Sequence, residues 1–134
     1  MKTITTAALA AAFAAILAAP AAMAQDAAAG KTAFKKCEAC HTVEAGKTKP
    51  TGPKLLGVFG RKVGAGDYKY SDAIQKAAAK GLTWDEKSLD AYIEDPKKFL
   101  AGVTGDPKAT NKMQFSLKNA AERANIIAYL KTAK

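Results

Sequence analysis

The sequence predicts an all-α fold, with three to five short helices in a single domain. Apolar residues recur three and four positions apart in several segments, and residues that cap helices stand at the ends of those segments. No segment alternates apolar and polar residues in the manner of a β-strand, and no internal repeat is present. With 134 residues, of which 25% are charged and 49% are apolar, the chain has the composition of one small globular domain.

Residues 1–24 predict a cleaved secretory signal peptide. Lys2 gives a basic start, an alanine-rich apolar run follows, and Ala22-Met23-Ala24 forms a small-residue cleavage motif. A membrane anchor is the alternative, but alanine is only weakly hydrophobic and Pro20 interrupts the run. We therefore expect residues 25–134 to form the mature domain, which is exported to the periplasm and is soluble there.

The first half of the mature chain predicts two helices separated by a long loop. The first helix begins near Ala27 and runs toward Cys37. Residues 42–66 contain too many glycines and prolines for long regular elements, so we expect a loop that could wrap around a flat ligand. Residues 70–80 again have helical spacing, and Gly81 is a suitable C-terminal cap.

Three further helices are predicted in the second half. Thr83 and Glu86 have the spacing of a capping box for the third helix. Asp95-Pro96 predicts an N-cap and a first-turn proline for a short helix that continues through Leu100. The last helix is expected to begin near Asn119, with a glutamate three residues later as in a capping box.

The strongest chemical signal is the contiguous motif Cys37-Glu38-Ala39-Cys40-His41. This pattern is the attachment signature of c-type haem. Two thiols one helical turn apart can each add to a haem vinyl group, and the next residue can bring an imidazole to the iron.

Three other interpretations of the motif fit less well. A disulfide between Cys37 and Cys40 would close a very short loop and leave His41 unexplained. A thioredoxin-like pair needs a βαβ context that the following Gly- and Pro-rich sequence does not offer. A zinc site needs four ligands, but the chain has no further cysteine or histidine.

Met113 is the best candidate for the second axial ligand of the iron. It is the one methionine outside residues 1–24, and a second histidine is not available. A thioether opposite an imidazole raises the haem potential for electron transfer, whereas an ordinary methionine fills gaps in a core. A six-coordinate iron favours electron transfer over catalysis, because no position is open to a substrate. If Met113 does not bind, a peroxidase-like enzyme or a gas-binding sensor is the alternative.

These residues resemble the class I c-type cytochromes, most closely the bacterial cytochrome c2 group, over the whole mature chain. The similar segments are 37–41, 51–62, 68–70, 81–84, 95–99, 112–115 and 126–130. The resemblance implies a class I cytochrome c fold wrapped around one covalently bound haem c, and an electron carrier rather than an enzyme. Ala101–Thr110 is an insertion relative to the mitochondrial form.

The resemblance also implies roles for residues outside the motif. The carbonyl of Pro53 would accept a hydrogen bond from the His41 ring and fix its orientation. Arg61, Tyr70 and Trp84 would bind or neutralise a haem propionate. Tyr92 would lie beside the Met113 sulfur. At the other end of the domain, Gly30 and Phe34 would pack against Ile126 and Tyr129 where the terminal helices cross.

The net charge predicts an acidic partner. The chain carries +9, and removal of residues 1–24, which contain Lys2 and no acidic residue, leaves 20 basic and 12 acidic side chains, or +8. Nucleic acid is not expected as a partner, because the chain is exported and its lysines are dispersed. The candidate docking lysines are Lys35, Lys36, Lys47, Lys49, Lys54, Lys97, Lys98, Lys112 and Lys118.

By resemblance, the partners are membrane-bound redox complexes with acidic docking surfaces. The electron donor would be a cytochrome bc complex, and the acceptor a photosynthetic reaction centre or a terminal oxidase. We expect the carrier to be a monomer that is not embedded in the membrane.

Overall fold

Five α-helices account for the regular structure of the computed structural model, which describes residues 25–134. They are α1 (Ala27–Ala33), α2 (Asp72–Ala79), α3 (Glu86–Glu94), α4 (Pro96–Thr104) and α5 (Ala120–Thr132), and a 3-10 turn (Phe34–Lys36) extends α1. Residues 25–134 contain two isolated β-bridges but no strand. The all-α prediction is confirmed, and the βαβ context of a thioredoxin-like site is absent from this range. The predicted signal peptide lies outside the described residues.

The start of α3 differs from the prediction. Its N-cap is Asp85, whose carboxylate accepts a hydrogen bond from the Ser88 backbone N–H at 2.8 Å, while the Ser88 hydroxyl reaches back to the Asp85 N–H at 2.9 Å. The predicted capping box of Thr83 and Glu86 was therefore wrong. Thr83 is held in an extended conformation by its bridge to Lys62, so the chain cannot turn into a helix until two residues later.

The other predicted helix ends agree more closely. Asp95 caps α4 as expected, and Asn119 caps α5. Helix α4 is longer than predicted, however: it passes Leu100 and continues to Thr104, where Gly105 adopts a φ of 72° and ends it. The first residues of the inserted segment Ala101–Thr110 are therefore helical rather than part of a loop.

The two terminal helices, α1 and α5, cross at Gly30. A Cβ atom at this position would lie 1.9 Å from the Asn125 carbonyl oxygen and 2.9 Å from the Tyr129 Cβ. The rings of Phe34 and Tyr129 then pack with their centroids 5.4 Å apart. The predicted packing of Gly30 and Phe34 against Tyr129 is confirmed, and it places the cysteine motif directly beyond the crossing.

Helix α3 lies centrally, packed against both α4 and α5. A segment of the long loop pairs with the chain just before α3: Gly60 N–H donates to the Trp84 carbonyl at 2.7 Å, and Trp84 N–H donates to the Arg61 carbonyl at 2.8 Å. These bonds fix Arg61 beside Trp84. In the part of the chain that the structure describes, no helix is long and apolar enough to cross a bilayer.

Candidate functional site

A cavity between the long loop, α3 and the segment after α4 brings the predicted site residues together. It has two parts of about 490 and 80 Å³. Every residue that the sequence predicted to bind the cofactor or its iron lines one part or both. Residues that line both parts are Cys37, His41, Pro53, Tyr70, Met113 and Phe115. The cysteine motif and the distant methionine thus face the same space.

The cysteine motif forms one tight helical turn. The Cys37 carbonyl accepts hydrogen bonds from the backbone N–H groups of Cys40 at 3.1 Å and His41 at 2.9 Å. Both cysteines are free thiols. Burial, and then the neighbouring Cys40, raise the pKa of the Cys37 thiol to about 11. Both sulfur atoms are thus available at the wall of the cavity, and neither is consumed in a disulfide.

His41 is oriented by the loop that follows it. Its Nδ1 donates a hydrogen bond to the Pro53 carbonyl oxygen at 2.8 Å. Burial lowers the pKa of the imidazole, so the neutral ring is favoured and its Nε2 carries a lone pair. A Cβ at Gly52 would lie 2.6 Å from the Cys40 carbonyl and 2.8 Å from His41 Cε1, so only glycine lets the loop come this close.

The segment that carries Met113 has no regular secondary structure, and the Asn111 side chain holds it. The Asn111 Oδ1 accepts the Met113 N–H at 3.1 Å, and the Nδ2 donates to the Met113 carbonyl. The Tyr92 hydroxyl donates to the same Oδ1 at 3.4 Å. Sequence analysis missed Asn111; its position two residues before Met113 permits such a turn and was the available signal.

Arg123 holds the downstream end of this segment, and sequence analysis missed it as well. Its guanidinium is buried, donates to the Leu117 and Lys118 carbonyls at 2.9 and 3.0 Å, and pairs with Asp90 of α3 at 2.7 Å. The Leu117 N–H donates to the Ile93 carbonyl at 2.9 Å. Helix α3 therefore anchors the Met113 segment at both ends.

The three predicted propionate-binding residues, Arg61, Tyr70 and Trp84, all line the smaller part of the cavity. Arg61 donates to the Lys54 carbonyl at 3.0 Å and the Leu56 carbonyl at 3.3 Å, which leaves other guanidinium donors for an acidic group. The Tyr70 hydroxyl accepts the Gly66 N–H at 3.1 Å and keeps its own proton to donate. These donors suit a ligand with carboxylates.

The candidate docking lysines fall into two groups. Members of the first make contacts within the chain. Three of them form ion pairs, Lys36 with Glu122, Lys47 with Glu44 and Lys118 with Asp95. Lys49, Lys112 and Lys118 donate hydrogen bonds to backbone carbonyls, those of Glu38, Lys69 and Glu94 respectively. Of the whole set, only Lys36 and Lys112 line the larger part of the cavity. Members of the second group make neither an ion pair nor a side-chain hydrogen bond among the described residues: Lys35, Lys54, Lys97 and Lys98.

The profile of the cytochrome c family matches residues 27–134. The chain belongs to the cytochrome c family. This cytochrome is 50% identical to cytochrome c2 of Rhodospirillum rubrum over 110 residues, which cover 81% of this chain and 82% of the relative. It is 47% identical to cytochrome c2 of Cereibacter sphaeroides over 111 residues, which cover 76% of this chain and 90% of the relative.

Solved structures agree with this assignment. Cytochrome c2 from Rhodobacter sphaeroides gives a TM-score of 0.75 at 45% identity and covers 81% of this chain and 96% of its own. Ferric cytochrome c-550 from Paracoccus versutus gives a TM-score of 0.76 at 39% identity, and the match covers 82% of this chain and 98% of that structure's chain. The class I fold and the resemblance to cytochrome c2 are confirmed.

Membership of the family settles the class of cofactor and of function. The cytochrome carries one covalently attached haem c and is an electron carrier, not an enzyme. The structure fits this cofactor in three respects: free thiols and a neutral imidazole meet at one wall, a thioether lies at the same cavity, and the lining is largely apolar and aromatic.

Proposed function

We propose that this cytochrome is a soluble periplasmic carrier of single electrons, in which His41 and Met113 are the axial ligands of the haem iron. Cys37 and Cys40 hold the haem through thioether bonds. The observation that carries the proposal is that His41 and Met113 line the same cavity, with His41 Nδ1 engaged by Pro53 and Nε2 left to bind metal.

The side chains that line the cavity would hold the haem and orient its ligands. When bound, the haem supplies one iron that accepts and releases one electron. The Pro53 carbonyl fixes the His41 ring, and Arg61, Tyr70 and Trp84 would bind or neutralise a haem propionate. With His41 and Met113 both holding the iron, no position would be left for a substrate, so the site would serve electron transfer rather than catalysis.

The proposed partners are membrane-bound redox complexes with acidic docking surfaces. A cytochrome bc complex would supply the electron, and a photosynthetic reaction centre or a terminal oxidase would accept it. The resemblance to cytochrome c2 and the strong positive charge support this role. We propose that the carrier acts as a monomer after the signal at residues 1–24 is removed, so that the mature chain begins at Gln25.

The absorption spectrum of the purified holoprotein tests the ligand set. Ferric haem with a sulfur ligand shows a weak absorption band at long wavelength, which we expect in the wild-type protein and not in Met113→Ala. Ser116→Ala changes an exposed residue of the same segment and should keep the band. A high-spin ferric wild-type protein that binds small ligands readily would contradict the proposal and favour a peroxidase-like or gas-binding protein.

A further inference from the structure

We propose that Asn111 is a positioning residue that holds Met113 in place to bind the haem iron, and that Tyr92 acts on Met113 through Asn111. This inference rests on the proposed function, because it requires Met113 to be an axial ligand.

One side chain binds both backbone polar groups of Met113. The Asn111 Oδ1 accepts the Met113 N–H at 3.1 Å, and the Nδ2 donates to the Met113 carbonyl. Together these bonds fix the peptide planes on both sides of Met113. Since the surrounding segment has no helix or strand to hold it, the side-chain amide replaces the constraint that regular structure would give.

The Asn111 amide is itself attached to the core. The Tyr92 hydroxyl donates to its Oδ1 at 3.4 Å. The Tyr92 ring packs against the rings of Trp84 and Phe99, with centroids 5.0 and 5.6 Å away. A chain of contacts therefore runs from the aromatic cluster of Trp84, Tyr92 and Phe99, through the Asn111 amide, to the backbone of Met113.

The structure predicts what loss of the amide would do. In Asn111→Ala, the N–H and the carbonyl of Met113 would have to find water, and the segment would sample conformations that withdraw the thioether. A ligand from solution would then compete better for the iron. Two hydrogen bonds in the weaker half of the usual range of net strength, as expected where water can replace them, correspond to about a tenfold change in such an equilibrium.

The test uses the ferric holoprotein and imidazole as the competing ligand. Asn111→Ala is expected to bind imidazole about tenfold more tightly than wild type. Asn111→Asp keeps the acceptor for the Met113 N–H but loses the donor to its carbonyl, so it should fall between the two. Ser116→Ala, an exposed position in the same segment, is the matched control and should behave as wild type. Tyr92→Phe should tighten imidazole binding in the wild-type background and have little further effect in Asn111→Ala.

Several results would overturn the inference. Wild-type imidazole affinity in Asn111→Ala would do so, as would an equal change in Ser116→Ala. A shifted reduction potential with unchanged imidazole affinity would mean that Asn111 acts on the cofactor and not on Met113. Full additivity of Tyr92→Phe and Asn111→Ala would show that Tyr92 acts independently of Asn111. If the wild-type protein lacks the long-wavelength band, the assignment of Met113 as ligand fails first, and the two failures are thereby distinguished.

Discussion

Arg123 is buried yet charged, and its charge is offset by Asp90 and two backbone carbonyls. The side chain is only 6% exposed, whereas that of Asp90 is 42% exposed. Replacement by methionine would leave the Leu117 and Lys118 carbonyls without their donor and Asp90 without its partner. Because Asp90 can turn to water, we expect a loss of about 2 kcal/mol rather than the larger cost of a fully buried pair.

Guanidinium denaturation of the holoprotein would measure the loss in Arg123→Met. The control is Lys36→Met, which removes an ion pair to Glu122 that is exposed on the lysine side. An exposed pair contributes about 1 kcal/mol or less, so this variant should stay close to wild type. Equal losses in the two variants would contradict the structural role assigned to Arg123.

At the level of single residues, a functional role can be predicted from the sequence when the residues that act together are close in the chain. The Cys37–His41 motif can be recognised from the sequence because its chemistry depends on adjacent residues, and the proposal of Met113 as a ligand rests on the lack of other candidates. The role of Arg123 is not readable, because Asp90 lies 33 positions away and the need for an ion pair arises only when the guanidinium is buried.

Helix α1 can approach α5 closely only because residue 30 is glycine. In Gly30→Ala the new methyl group would meet the Asn125 carbonyl at 1.9 Å, so the helices would have to separate. We expect a loss of about 3 kcal/mol in the free energy of unfolding, at the upper end of the cost of overpacking. Thermal or denaturant unfolding of the holoprotein measures this loss.

Gly102→Ala provides the matched control for Gly30→Ala. Gly102 is also a helical glycine, in α4, but a Cβ there meets nothing within 4 Å. Alanine is the better helix former by about 1 kcal/mol, so this variant should be as stable as wild type or slightly more stable. A similar destabilisation of both variants would mean that the crossing at Gly30 is not the cause.

Helix ends, too, were predicted correctly where the residues that determine them are close in the chain. The starts of α4 and α5 follow from Asp95-Pro96 and Asn119, whose capping bonds are local. The start of α3 was misplaced because Thr83 is held by Lys62, 21 residues earlier in the chain, through a bridge that no local pattern indicates.

The distribution of positive charge over the whole molecule predicts salt-dependent association with an acidic redox partner. We expect Lys97→Glu to slow the reaction with such a partner several-fold at low ionic strength, and much less at high ionic strength where screening is strong. Stopped-flow oxidation or reduction at a series of salt concentrations would show this. Equal slowing at low and high salt would argue against electrostatic steering.

Lys87→Glu is a control of equal charge. Lys87 and Lys97 are both exposed second residues of nine-residue helices, α3 and α4. A glutamate in a first helical turn is favourable in either place, so neither change should damage the fold. If the two variants slow the reaction equally, net charge rather than a localised docking surface governs association.

The crossing of α1 and α5 also bears on the order in which this protein matures. The ribosome makes the Cys37–His41 segment well before α5, the helix that crosses α1 at Gly30. Helix α1 has only seven residues and is too short to be stable alone. Until α5 has been made, α1 lacks the helix that it packs against, and both thiols stay open to attachment of the cofactor.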